Sequence, residues 1–220
     1  QTYFLCQLNQ NQLNNSLFPI GELTKPEVRQ IAEELDLPVA HKKDSTGICF
    51  IGERDFREFL KNYIPAKSGK MVDIVSKKVI GEHQGIMYYT IGQRKGLGIG
   101  GNGEPWFVVG KDYDKNILYI AQGDSNKWLL SHGALITDVN WISATKPEGE
   151  YDCTAKFRYR QKDNDVSLHF IDETTLYVTF KKPIKAVTPG QAAVFYDGDV
   201  CLGGGTIDKV YKDGKEIDYL

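Results

Sequence analysis

Four cysteines, at positions 6, 49, 153 and 201, are the thiol nucleophiles of this sequence, and their settings differ. Cys49 lies in a glycine-containing polar loop, HKKDSTGICFIGE at 41–53, a few residues ahead of an expected helix start. Lys42, Lys43 and Arg54 are near it in sequence, with Asp44 opposing them. A free thiol titrates near ~8.5, and a helix N-terminus with neighbouring cations lowers that value towards the nucleophilic thiolate. The competing reading is a small apolar core residue between Ile48 and Phe50, and spacing alone favours it. Cys6, Cys153 and Cys201 sit inside apolar alternation and read as core. No CxxC pair exists, and the histidines at 41, 83, 132 and 169 lack the i, i+4 pairing or cysteine neighbours of a metal site. No metal is expected.

Two further patterns could carry binding. The first is GQRKGLGIGGNG at 92–103, with six glycines in twelve residues. Gly96-x-Gly98-x-x-Gly101 matches a dinucleotide-binding fingerprint, which works only where a helix N-terminus follows to hold the pyrophosphate. Here EPWFVV follows, which reads as a strand, so a flexible β-loop is the better reading. Arg94 and Lys95 at its start suggest, more weakly, a polar or phosphate-facing surface. The second pattern is KFRYRQ at 156–161. Read as a strand, it puts Lys156, Arg158 and Arg160 on one face and Phe157 and Tyr159 on the other. Such a strand on a small barrel suits nucleic acid. It equally suits an exposed edge guarded by charge.

The elements that must position these residues follow from periodicity. Thr24-Lys25-Pro26-Glu27 is a capping-box start, and Val28, Ile31, Ala32 and Leu35 give one apolar helical face, ended at Leu37-Pro38. A second helix is expected over roughly 53–63, carrying Phe56, Phe59, Leu60 and Tyr63. After Pro65 the period changes to two. Lys70–Val75 with Lys77–Gly81, and Trp106–Lys111 with Asn116–Gln122, read as hairpins. From about 133, at least six short strands recur, with Asp197-Gly198 as a turn between two of them, which argues a small antiparallel barrel or sandwich. The expected domains are a helical segment at 1–64, a small β domain at 65–130 and a barrel at 131–220.

Composition narrows the class. The 220 residues are 41% hydrophobic and 25% charged, ordinary globular usage that excludes disorder and collagen-like repeats. With a net charge of −2, nucleic-acid binding would need a local patch rather than a global field. No apolar run is long enough for a membrane-spanning helix, and no signal peptide opens the chain. Cysteine usage favours a reducing compartment. The sequence starts at Gln1 without Met and reads as part of a longer protein.

Three long motifs then add up. DSTGICFIGER at 44–54, GEHQGIMYYTIGQRKGLGIGG at 81–101 and TPGQAAVFYDGDVCLGGG at 188–205 resemble, in order, the tRNA-specific 2-thiouridylases. The resemblance covers essentially the whole chain. It implies an α+β protein: the helical tail of an α/β PP-loop catalytic domain, a small central β domain, and a C-terminal antiparallel β-barrel of translation-factor type. Such enzymes replace the position-2 oxygen of the wobble uridine with sulfur, after adenylating it with ATP and magnesium in an N-terminal domain. The family's SGGxDS phosphate loop and first catalytic cysteine do not occur in these residues, so the chain alone is expected to be inactive. The second catalytic cysteine maps onto Cys49 of STGIC, which would carry a persulfide and end in a disulfide. Only a thiol can accept sulfur, pass it on and then close such a bond. The implied tRNA contacts are Gln1, the Arg158-Tyr159 pair and Gln191 of TPGQ. The implied partners are the anticodon stem-loop of tRNA and a sulfur-donor protein, in the cytoplasm, with no membrane. The target base would have to leave its stack to reach Cys49. The alternative is an RNA-binding β module without catalysis, in which Cys49 is structural.

Overall fold

Alternating burial dominates from residue 69 onward, and the computed structural model resolves it into two sheets. Residues 2–43, 62–143 and 146–219 are described. By internal contacts the chain divides into one unit of residues 1–11 and 66–220 and another of residues 12–65.

The smaller sheet holds β1 (Gly69–Asp73), β2 (Val79–His83), β3 (Trp106–Asp112) and β4 (Ile117–Gln122) in the order β2-β1-β4-β3. Both expected hairpins form, and β1 joins β4 in parallel. The β1–β2 turn is built by Asp73, whose carboxylate accepts the Val75 and Ser76 N–H groups and the Ser76 hydroxyl. Met71, Val108, Val109, Leu118 and Ile120 fill the core behind this sheet. His83 is buried there with both ring nitrogens engaged. Gly85 N–H donates to Nδ1 and Asn116 O lies 3.2 Å from Nε2. This is the neutral tautomer with Nε2–H donating.

The larger sheet closes on itself. Strands β5 (Leu130–Trp141), β6 (Glu150–Lys156), β7 (Asn164–Phe170), β8 (Leu176–Lys185), β9 (Ala192–Asp197) and β10 (Val200–Lys212) run β10-β5-β8-β7-β6-β9, and β9 pairs back to β10. The result is a closed six-stranded barrel with β11 (Lys215–Glu216) beside β10. Closure removes the exposed strand edges. Inward residues such as Ile136, Phe157, Leu168, Val178, Phe195 and Ile207 pack its interior. Gly198-Asp199 makes the β9–β10 turn, with Gly198 at φ 54°. At Gly203 (φ 147°) a Cβ would collide with Asn140 O, so only glycine allows β10 to pair this closely with β5.

The barrel and the smaller sheet are tied by main-chain bonds. Ala186 N–H donates to Leu129 O at 2.7 Å, and Lys111 N–H to Tyr219 O at 2.7 Å. Residues 2–8 also belong to this unit. A 3-10 turn at Thr2–Leu5 lays Tyr3 and Cys6 against Val194 and Tyr196 of β9. Asn140 Nδ2 donates to the carbonyls of Cys6 and Leu8, both at 2.9 Å.

Short helices are found at α1 (Gln10–Asn14) and α2 (Lys25–Glu34). The capping box at the start of α2 forms as its sequence reads: Thr24 N–H and Oγ1 both donate to Glu27 Oε2 at 2.6 Å. The helix stops at Glu34, short of the expected Leu37-Pro38, because Asp36 turns left-handed (φ 51°) and Leu37 N–H reaches back to Ala32 O. The expected helix over 53–63 lies, but for its last two residues, outside the described residues.

Candidate nucleic-acid interface

Of the expected site residues, Cys49 and Gln1 lie outside the described residues, while Arg158, Tyr159 and Gln191 lie within them. The strand reading of 156–161 needs correction. Strand β6 ends at Lys156, and 157–163 form the loop to β7. Phe157 turns inward against Phe180, ring centroids 4.8 Å apart, and its N–H is taken by Gln161 Oε1. Arg160 adopts φ 65°, which breaks alternation. Lys156 is spent on Asp163 at 2.8 Å. The three basic residues therefore do not share a strand face.

What the loop builds instead is a joint. Arg158 is half-buried, and its Nη2 donates to Ile91 O at 2.6 Å and to Thr188 Oγ1 at 3.2 Å. Burial lowers its pKa somewhat, a shift opposed by nearby Tyr3. Thr188 opens the TPGQ turn, and its carbonyl accepts Gln191 N–H. Gln191 is exposed, and its own carbonyl accepts Ile207 N–H at 2.9 Å. Ile91 opens the glycine loop, whose Arg94 and Lys95 are exposed. Thus Arg158 draws together two motifs that are some hundred residues apart in sequence, IGQRK at 91–95 and TPGQ at 188–191. Gly92 (φ 80°) is required there, since a Cβ would press on Ala186 and approach Arg158.

Sequence reasoning missed the N-terminal contribution. Tyr3 is buried and donates to Ala192 O, next to Gln191, at 2.9 Å. Burial first, then neighbouring Cys6 and Tyr196, pushes its phenol up to about 12. Phe4 stands beside Tyr159, ring centroids 4.6 Å apart. The adjacent aromatics Tyr3-Phe4 were a visible signal, but nothing local connects them with position 159.

The remaining thiols are set for packing. Burial raises Cys6 and Cys201, and burial together with Asp152 and Asp197 pushes Cys153 up to about 12. All three are therefore protonated at neutral pH. The glycine loop leads into strand β3, so its fingerprint has no helix N-terminus to work with. Its residues line a cleft of about 300 Å³ with Arg94, Glu104 and Trp106. Among the described residues no three His, Cys, Asp or Glu side chains gather as a metal site, and no helix is long and apolar enough to cross a membrane.

Three family models match successive parts of the chain. The "tRNA methyl transferase HUP domain" matches residues 1–53, the "tRNA methyl transferase PRC-barrel domain" 57–122, and the "Aminomethyltransferase beta-barrel domain" 131–207. The chain is 59% identical over all 220 residues to tRNA-specific 2-thiouridylase MnmA of Bacillus cytotoxicus, and 58% identical to those of Bacillus cereus and Bacillus mycoides. It spans 59% of the length of each. The architecture is thus a HUP start, a central PRC-barrel domain and a closed C-terminal β-barrel. The chain belongs to the tRNA-specific 2-thiouridylase family.

Proposed function

We propose that this chain is the sulfur-relay and tRNA-gripping part of an ATP-dependent tRNA-specific 2-thiouridylase of the cytoplasm. In this reading residues 1–64 complete a catalytic domain, 65–130 form a spacer and 131–220 hold tRNA. Cys49 accepts sulfur from a donor protein as a persulfide. Its terminal sulfur bonds to C2 of the wobble uridine as the activated C2–O2 bond breaks. A second thiol then attacks Cys49 Sγ, which frees the thiolated base and leaves a disulfide on Cys49. ATP and magnesium do not fit the described residues. The glycine-rich loop opens a strand, and no phosphate loop occurs in the sequence. No nucleotide step is assigned to this chain, and alone it is not competent for thiolation.

The observation that carries the tRNA half is the joint at Arg158. It holds Gln191 and the start of the Arg94-Lys95 loop around one loop bearing Tyr159. The family resemblance adds Gln1 as a further tRNA contact, a residue outside the described ones. Support for the relay half is that the other three thiols are held protonated by burial, while Cys49 sits in the STGIC motif.

Intact mass of the chain before and after incubation with a cysteine desulfurase and cysteine tests the relay. The expected result is one added sulfur, mapped to Cys49 and removed by reductant. In the full-length enzyme, Cys49→Ser should abolish 2-thiouridine formation and spare tRNA binding. Retained thiolation would sink the assignment.

A further inference from the structure

The described residues leave a pair of aromatic rings in solvent where a globular protein would ordinarily cover them. Phe4 is 65% exposed and Tyr159 is 45% exposed, and their rings meet at 4.6 Å with an angle of 46°. Tyr3 holds Phe4 edge-on at 5.5 Å, and Tyr3 is itself fixed by its bond to Ala192 O. Arg160 Cζ lies 5.3 Å from the centre of the Tyr159 ring. The pair is therefore braced by Tyr3, and a cation lies over the Tyr159 ring.

This braced geometry joins the N-terminal segment to the barrel strands. Gly204 makes it possible: a Cβ there would meet Ala193 O and come within 3.2 Å of Cys6 Cβ. Gln7 Nε2 donates to Gly204 O at 3.2 Å. The N-terminal segment thus lies close against β10 and delivers Phe4 to the β6–β7 loop.

We infer that the exposed Phe4 ring, backed by Tyr159, is a stacking platform for one unpaired nucleobase of RNA, with Arg160 beside the adjoining phosphate. The inference rests on the tRNA-binding reading above and adds Phe4 as a contact. The chemistry favours a base over an apolar peptide. A base offers a flat π face to the exposed Phe4 ring, and the flanking Arg160 and exposed Lys162 suit its anionic backbone. The chain's net charge of −2 makes this local cationic rim necessary for any RNA contact.

The test uses the 220-residue chain and two RNA probes, an anticodon stem-loop with an unpaired seven-nucleotide loop and the same stem closed as a continuous duplex. Phe4→Ala and Phe4→Leu should each weaken stem-loop binding about tenfold, ~1.4 kcal/mol, within the usual worth of one base–aromatic stack. Phe4→Tyr should bind as the parent does. Duplex binding should be unchanged in all three. Because Phe4 is largely exposed, thermal midpoints should stay together, and a shared midpoint separates lost stacking from lost folding. Leucine is the decisive variant, since it keeps apolar area without a π face. If Phe4→Leu binds the stem-loop like the parent, stacking is wrong and the patch is a protein contact. If the parent itself binds neither probe, the tRNA-binding reading fails first.

Discussion

The barrel and the α2 segment handle apolar side chains in opposite ways. In the barrel, Phe157, Leu168, Val178 and Ile207 are fully enclosed by a sheet that closes on itself. In residues 12–43 helix α2 fully buries none of its own residues, with Ile31 41% exposed, and beyond its ends Leu35 is 64% and Leu17 90% exposed. Both regions obey their sequence periodicity. The difference is that strands bury one another through hydrogen-bonded neighbours, whereas one ten-residue helix presents a stripe that needs an external partner. Local signals therefore specify α2 without stabilising it, while the barrel is specified and stabilised by the same residues.

Hydrogen exchange should display this contrast most strongly. Amides of β5 and β8 are expected to open only with global unfolding, an energy of about 5–15 kcal/mol for a typical domain. Amides of 25–34 should exchange close to the rate of an open chain. Comparable protection in both regions would show that α2 has found a partner surface and would end the comparison.

Truncation reads the same difference through side chains. Phe157→Ala empties a site packed against Phe180 and should cost about 3–5 kcal/mol in the unfolding of the β unit. Leu35→Ala removes a largely solvated side chain and should cost less than about 0.5 kcal/mol. Chemical denaturation of each variant, followed by tryptophan fluorescence from Trp106, Trp128 and Trp141 for the β unit and by helical circular dichroism for α2, compares them. A large loss from Leu35→Ala would mean that its stripe is covered in solution.

The sequence made the barrel legible because period-two alternation and the Asp197-Gly198 signal are local. The capping box of α2 was legible for the same reason. What failed was KFRYR, where alternation of basic and aromatic residues continued one step past the end of the strand. Phe157 is apolar because it fills the core at the loop entrance, and Arg160 breaks the pattern through its positive φ. Periodicity counts residue types and carries no information on where β6 turns away from β9. The convergence of Ile91, Arg158 and Thr188 was equally hidden, because a carbonyl acceptor leaves no trace in residue type. Membership of the family pointed to Arg158 and Gln191, and the structure adds how one supports the other. The position of Cys49 belongs to the segment that is not described.

Arg158 sharpens the comparison by asking whether the β unit behaves as one body. Arg158→Ala removes charged hydrogen bonds to Ile91 O and Thr188 Oγ1, each of a kind worth about 1.5–3 kcal/mol. Partial exposure and water entry should reduce the observed loss to the low end of that range. The stem-loop affinity should fall as well. If Arg158 meets a phosphate, the slope of log K against log salt should shrink by about one contact, roughly 0.9. An unchanged slope with weaker binding would make Arg158 a positioning residue that acts through Gln191 and the glycine loop. Unchanged affinity would move the interface elsewhere.

Acid should separate the two regions by a smaller effect, through two titrations of opposite character. Burial lowers the pKa of His83 below its usual 6.5, against the bond to Asn116 O, because the ring sits uncharged in the core. The unfolded chain then binds a proton at a pH where the folded β unit does not. Stability is complete above about 6.5 and declines as pH falls from there towards the folded value. Glu27 is lowered by the Thr24 hydroxyl and then the Thr24 N–H, so the α2 cap is present above the carboxylate's ordinary 4.5 and is lost as pH drops through its folded value. Between pH 6.5 and 5 the thermal midpoint of the β unit should therefore fall while α2 helicity holds. His83→Gln, which can keep one donor and one acceptor, should flatten that decline without touching the later loss of α2. If α2 melted in the same window as the β unit, the two regions would be coupled, and the exposed stripe of α2 would be leaning on the barrel's own stability.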